Sequence, residues 1–375
     1  MREINNLIVK YKDRPVGILA ETKEGRVAFQ YDKEWLADGF SINPFSLPLN
    51  KSVFLPKSSV FEGLFGVFAD SLPDGWGRLL VDRLLLSMRI SPETVTSIMR
   101  LGIVGGNGMG ALEYFPELLQ LDEKERLDFD QLCQECEKIL REENSEDLDT
   151  LFRLGGSSGG ARPKVLVQLG REGWIVKFPS SYDRKTIGDE EYRYMKCAES
   201  CGILIPEVRL FSSAICKGYF GAKRFDRSED KKVHMVTVSG LLETSHRIPN
   251  LDYHDLMKLT YLLTKDNRQM EEMFRRMCFN VFSHNRDDHS KNFSYLYDEN
   301  EKRWKLTPAY DLTYSNSIGG EHATCVNGNG RNPEKSDLLE VGKAAGLPVS
   351  KMKRMIDEIE EIVRENLSDI LTGHK

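Results

Sequence analysis

Alternating apolar and polar positions open the chain: "NNLIVKYKDRPVGILAE" and then "GRVAFQYD" carry the two-residue period of half-buried strands. Asp13-Arg14-Pro15 reads as the turn between the first two runs, and Gly25 breaks the next pair. The period then lengthens. "SLPDGWGRLLVDRLLLSMRI" is predicted to be an amphipathic helix opened by Pro73 and Asp74. "GIVGGNGMGALEYF" follows as a glycine-rich turn leading into a strand. Residues 116–150 form an acidic, polar helical connector. Strand pairs return at "PKVLVQL" and "GWIVKFP", with a helix at "GDEEYRYMKCAESCGI" and two strand-like pieces, "EVRLFSS" and "YFGAKRFDR". From about residue 252 the pattern is mostly helical, ending in "VSKMKRMIDEIEEIVRENLSDIL". No internal repeat or low-complexity tract interrupts this order.

At 375 residues, two or three domains are expected. Apolar residues at 40% and charged residues at 29% describe an ordinary globular protein. The net charge of −6 argues against nucleic acid as the main direct partner. The chain has no apolar run of 18 residues and no charged-then-apolar leader, so no membrane contact and a cytoplasmic location are expected. Seven scattered cysteines suit a reducing compartment. Cys133 and Cys136 share one predicted helix with no second pair or histidine nearby, which makes them structural thiols.

Two glycine-rich stretches invite a nucleotide reading. The first, "GIVGGNGMGALEYF", precedes a strand instead of linking strand to helix and contains no G-x-G-x-x-G, so it is read as a structural turn. The second, "RLGGSSGGARPKVLV", stands directly before a strand. Glycines let backbone N–H groups approach phosphate oxygens. Gly155 and Gly160 have the Walker A spacing, but Ala161 and Arg162 follow where Lys-Ser/Thr is needed, so a kinase-type glycine hairpin fits better. Lys177 lies within the apolar run "GWIVKFPSS", where an ammonium could neutralise nucleotide phosphates. Glu190 or Glu191 on the next helix could steady it.

The densest chemistry is "SHNRDDHSKNF", residues 283–293, followed by "LTPAYDLTYS". Asp287 and Asn292 have the Asp-x4-Asn spacing of phosphotransferases, and Asp311 supplies a second acid. In that reading Asp287 orients an attacking hydroxyl and accepts its proton, and Lys291 neutralises the transferring phosphoryl group. Asn292 and Asp311 offer hard oxygens to Mg²⁺. His284 and His289 could instead ligate zinc, but no H-E-x-x-H helix accompanies them.

"NRDDHSKNF" with "PAYDL", together with "SSGGARPK", resembles the HipA family of serine/threonine kinases, toxins of bacterial toxin–antitoxin pairs. "VGILAETKEGRVAFQYDKEWLADGFSINPFSLPL" and "VFADSLPDGWGR" resemble that family's small N-terminal domain, so the likeness spans nearly the whole chain. The resemblance implies an α+β fold: a small N-terminal α/β domain (1–115), the connector (116–150), a kinase-like N-lobe with the glycine-rich phosphate loop (151–230) and a helical C-lobe (231–375). It makes Asp287 catalytic with Lys291, and Asn292 and Asp311 the magnesium ligands. The ATP-binding set becomes Lys177, loop residues Ser157, Ser158, Gly159, Gly160 and Ala161, hinge residues Lys223 and Phe225 in "AKRFDR", and His289 and Tyr310 within the two motifs. Lys223 stands where the family carries a hinge Glu. Ser157, or Ser158, falls at the autophosphorylated position. ATP and Mg²⁺ are the implied cofactors. The implied partners are a protein substrate such as an aminoacyl-tRNA synthetase and a small helix-turn-helix antitoxin, through which alone DNA is reached. Two other readings stay open: a small-molecule phosphotransferase of aminoglycoside-kinase type, and a catalytically idle nucleotide-binding corepressor.

Overall fold

The computed structural model describes residues 4–119, 128–143, 145, 147–228, 231–317 and 319–374. Part of the acidic connector, residues 120–127, 144 and 146, therefore lies outside the described residues. The chain divides into two compact units, Met1–Thr186 with Phe211–Thr244, and Ile187–Leu210 with Ser245–Lys375.

In the first unit the alternating segments form an antiparallel sheet of β1 (Asn6–Tyr11), β2 (Arg14–Glu21), β3 (Val27–Tyr31), β4 (Val53–Phe54) and β5 (Leu112–Phe115), in the order β4-β3-β2-β1-β5. Leu7, Val9 and Tyr11 point to the core while Ile8, between them, stays exposed. The first turn falls one step earlier than the sequence suggests. Lys12 and Asp13 take left-handed backbone at φ 50° and 64°, as a two-residue hairpin requires. Arg14 and Pro15 already belong to β2. Pro15 is tolerated there because the β1–β2 register shifts beside it, between Val9 and Lys10, and because it precedes the first β3 pairing at Gly17.

Helix Gly75–Ser87 buries Trp76, Leu80, Val81, Leu84 and Leu85 along one stripe. Trp76 and Leu80 share a core with Cys133 and Cys136 of helix Phe129–Leu140 and with Val165, Val176 and Tyr219. Those three come from β6 (Lys164–Leu169), β7 (Glu172–Lys177) and β8 (Tyr219–Lys223), an antiparallel set in which β7 is central. Burial pushes the Cys133 thiol up to about 11 and that of Cys136 well above its usual value, as befits packing groups.

The second unit is mainly helical, with helices Ile187–Ser200, Tyr253–Thr264, Asn267–Phe282, Lys335–Ala344 and Val349–Gly373. Its core is rich in Met and Phe, including Met273, Phe274 and Met277 beside Met352, Ile356 and Ile359. Gly342 permits the closest packing: a Cβ there would lie 2.1 Å from the Met352 sulfur. The helical run is broken by an antiparallel hairpin, Ser294–Asp298 with Arg303–Leu306, whose first strand follows directly on the 283–293 motif. Among the described residues no helix is long and apolar enough to cross a membrane.

Candidate active site

In the second unit, helix Asn267–Phe282 ends at Ser283, and His284 turns the chain through left-handed backbone at φ 58°. Residues 284–286 then pair with Ser315: the Ser315 N–H donates to the His284 carbonyl (3.1 Å) and the Arg286 N–H to the Ser315 carbonyl (3.2 Å). The stretch carrying Asp287 is thus backed by the stretch that follows Asp311. A single 3-10 turn, Ser290–Asn292, begins at His289, whose Nδ1 accepts the Lys291 N–H at 3.2 Å. A neutral His289 therefore carries its proton on Nε2, the atom 3.9 Å from Asp287 Oδ1. Asn292 Nδ2 donates to the Asp287 carbonyl at 2.6 Å. The Asp287 side chain remains 58% exposed.

Tyr310 ties the second acid to this turn. Its hydroxyl donates to the Lys291 carbonyl at 2.7 Å and lies 3.0 Å from Ser294 Oγ. Asp311 follows at φ 54°, a left-handed conformation costing a non-glycine residue about 1 kcal/mol. Asp287, His289, Lys291, Asn292, Tyr310 and Asp311 therefore form one local constellation.

Sequence reading missed what lies beneath it. Asp288 is buried, and its carboxylate accepts from the Tyr253 hydroxyl (2.9 Å), His322 Nδ1 (2.9 Å) and the Thr324 N–H (3.2 Å). Thr324 Oγ1 donates to the Asp288 carbonyl at 2.6 Å. Asn280 continues the network, donating to Tyr253 and accepting from Asn285. The available signal was the acid pair itself: in extended backbone, neighbouring side chains face opposite ways, so one member of Asp287-Asp288 turns inward.

In the first unit the glycine loop is folded onto the start of helix Gly75–Ser87. Asp74 does not cap its own helix with its side chain; its carboxylate takes the Gly160 N–H. The Trp76 N–H donates to the Gly160 carbonyl (2.9 Å), Trp76 Nε1 to the Lys164 carbonyl (3.1 Å), and Lys164 Nζ to the Gly159 carbonyl (2.6 Å). The approach needs glycine on the helix side too, since a Cβ at Gly77 would sit 2.3 Å from the Ser158 carbonyl oxygen. Ser157 and Ser158 are buried, and Ser158 Oγ donates to the Gly155 carbonyl at 2.6 Å. The Gly160 amide, expected to be open to a phosphate, is engaged in this conformation. Arg162, beyond Ala161, lies 3.3 Å from Asp183.

Lys177 closes β7 instead of lying inside it, opposite Lys164 across the hairpin, with Nζ 5.4 Å from the Phe220 ring centre. Lys223 pairs with Glu172, and Phe225 is half-buried beside an ion cluster. That cluster explains the first glycine-rich run. Asp226 accepts from Arg224, Arg227 and the Gly110 N–H, while Arg227 donates to the carbonyls of Gly108 and Gly110. Burial alone would raise Asp226, but the two guanidiniums outweigh it and hold the carboxyl at about 2. In the second unit Glu190, expected to steady Lys177, has His374 as one partner, at 3.1 Å.

Sequence and structure comparisons agree on the kinship. HipA of Shewanella oneidensis MR-1, solved in a complex with HipB and operator DNA, matches with a TM-score of 0.72 at 19% identity, over 98% of this chain and 91% of that one; this gives the kinase-like HipA fold. A protein of Sinorhizobium fredii with the provisional name kinase Y4dM is 23% identical over 87% of this chain and 81% of its own length. A provisionally named kinase of Haemophilus influenzae is 25% identical over 42% of this chain and 52% of its own length. The family model of the HipA N-terminal domain matches residues 7–115, and that of the HipA-like C-terminal domain matches residues 156–367, more than half the sequence. The chain belongs to the HipA family.

Proposed function

We propose that this protein is an ATP- and Mg²⁺-dependent serine/threonine protein kinase acting as the toxin of a toxin–antitoxin pair. The carrying observation is the constellation on residues 287–311, where the Asn292 amide braces the Asp287 carbonyl and Tyr310 pins the Asp311 segment to Lys291. Relatives with provisional kinase names support the same class of chemistry. Exposed Asp287 would orient a substrate hydroxyl and take its proton. His289 Nε2, 3.9 Å from that carboxylate, would help to orient it. Lys291 would offset charge on the transferring group.

The residues fit a magnesium ion. Asn292 uses its nitrogen on Asp287, which leaves Oδ1 for an ion, and Asp311 would add a carboxylate; two protein oxygen ligands suffice for an ion that otherwise takes phosphate and water oxygens. The ion, when bound, would screen the phosphate charge. Substitution of Asp311 by Asn is expected to weaken Mg²⁺-dependent nucleotide binding by about tenfold or more without unfolding the protein, as calorimetric titration with and without Mg²⁺ would show. Unchanged magnesium dependence would make Asp311 structural.

The glycine loop, Lys177, Lys223 and Phe225 are assigned to the nucleotide, and Ser157 or Ser158 to autophosphorylation. Both serines are buried, so a phosphate on either demands that the loop leave its seat on Asp74 and Trp76. A phosphoserine's charge of about −1.5 to −2 would then repel both Asp74 and a nucleotide triphosphate. Mass spectrometry after incubation with ATP is expected to find phosphate on Ser157 or Ser158, with ATP affinity falling steeply in the modified protein. A protein of proven activity that never carries phosphate on either serine has no such switch.

The protein substrate is assigned to the translation machinery, an aminoacyl-tRNA synthetase being the class implied by kinship. A HipB-like helix-turn-helix protein is the proposed partner, DNA being reached through it. The direct experiment is to incubate the purified protein with labelled ATP and a cell lysate. A labelled protein band supports the reading; label only on small molecules turns it toward a small-molecule phosphotransferase, and no transfer toward a corepressor.

A further inference from the structure

Three aromatic rings join distant parts of the second unit. His374, the C-cap of helix Val349–Gly373, stacks on Tyr314 with ring centres 4.2 Å apart and planes 14° apart. Tyr314 is also nearly parallel to His284, at 5.1 Å and 13°. Asn316 ties these last two together, its Oδ1 lying 3.1 Å from the Tyr314 hydroxyl and 2.9 Å from His284 Nε2. The stack thus connects a helix end, the segment after Asp311 and the start of the loop leading to Asp287.

The outer ring is itself held firmly. His374 Nε2 lies 3.1 Å from Glu190 Oε2 on helix Ile187–Ser200. One turn on, Arg193 of that helix grips both oxygens of Asp369 at 2.8 and 2.7 Å and donates to the Asn366 carbonyl at 3.0 Å. A bidentate guanidinium–carboxylate pair is a directional clamp, so the end of the long helix is fixed where the ring must sit.

Asp311 needs such support. Its left-handed backbone at φ 54° is a strained conformation that the surrounding structure has to hold. Upstream the anchor is the Tyr310 hydroxyl on Lys291; downstream it is buried Leu312, the Tyr314 stack and the Ser315 backbone bonds to His284 and Arg286.

We infer that His374 is a positioning residue for Asp311, acting through the Tyr314 ring to fix the segment that presents the carboxylate. This rests on the proposed role of Asp311 toward magnesium. The contribution assigned to the stack is one of geometry.

The test compares His374→Ala, His374→Phe and Asp311→Asn in the full chain, by calorimetric titration of a non-hydrolysable ATP analogue with Mg²⁺ and with chelator, beside thermal unfolding. His374→Ala is expected to weaken the Mg²⁺-dependent affinity about two- to tenfold, the size of a lost aromatic stack, and to leave affinity in chelator unchanged. His374→Phe, which keeps a ring and loses the Glu190 contact, is expected to restore most of it. If His374→Ala lowers only the unfolding temperature while Asp311→Asn removes magnesium dependence, the inference falls and the proposed function stands. Equal losses in His374→Ala and His374→Phe also overturn it. Wild-type magnesium dependence in Asp311→Asn removes the reading beneath it.

Discussion

Asp287→Asn is expected to lower phosphotransfer by about two orders of magnitude or more while leaving ATP affinity nearly unchanged. The asymmetry follows from the geometry. Asn292 grips the main-chain carbonyl of Asp287 and not its side chain, so the substitution leaves the bracing of the turn intact. The side chain is more than half exposed, so the near-isosteric exchange of a carboxylate oxygen for an amide carries little desolvation cost. What disappears is the negative charge and, with it, the proposed proton acceptor for the substrate hydroxyl. Single-turnover transfer from labelled ATP, paired with calorimetric ATP binding, separates the two effects. Turnover near that of the wild type would sink the assignment of Asp287.

What the sequence made legible was local. The alternation of Leu7, Val9 and Tyr11 marked a half-buried strand, and the 3.6-residue stripe from Trp76 to Leu85 marked a helix. The motifs at 283–293 and 306–315 could be named because their spacing is short and their side chains act within one or two turns. Contacts between remote segments left no such trace. Asp74 looks like an ordinary helix-capping residue, yet its carboxylate closes on Gly160, 86 residues away. The same limit hid the Arg224–Asp226–Arg227 cluster on Gly108 and Gly110, which makes the first glycine-rich run a docking seam. The pattern likewise gave no pairing for the segment at 294–306, a hairpin whose register is fixed by partners on both strands and by the Thr307 N–H donating to the Ser294 carbonyl. Periodicity reports which face is buried; it does not report against what.

The acid pair shows this most sharply, and Asp288→Ala is expected to be the most destabilising substitution in the turn. Asp288 is 1% exposed, and three donors converge on its carboxylate: the Tyr253 hydroxyl, His322 Nδ1 and the Thr324 N–H. Removing the carboxylate leaves all three buried without an acceptor, and an unsatisfied buried donor costs about 1–3 kcal/mol. Neighbours can relax and a water can enter, so the net loss is placed at about 3–5 kcal/mol, the range for breaking a buried charged pair. Burial already drives the Tyr253 hydroxyl far above its ordinary pKa, so that group cannot escape the deficit by ionising. The effect also reaches the chemistry, because the Thr324 Oγ1 bond to the Asp288 carbonyl and the Asn285–Asn280–Tyr253 chain hold the backbone from which Asp287 projects. Urea unfolding should therefore show a large fall in midpoint for Asp288→Ala and almost none for Asp287→Asn, although the two residues are adjacent. Equal stability of the two variants would mean that the buried network does not hold the turn.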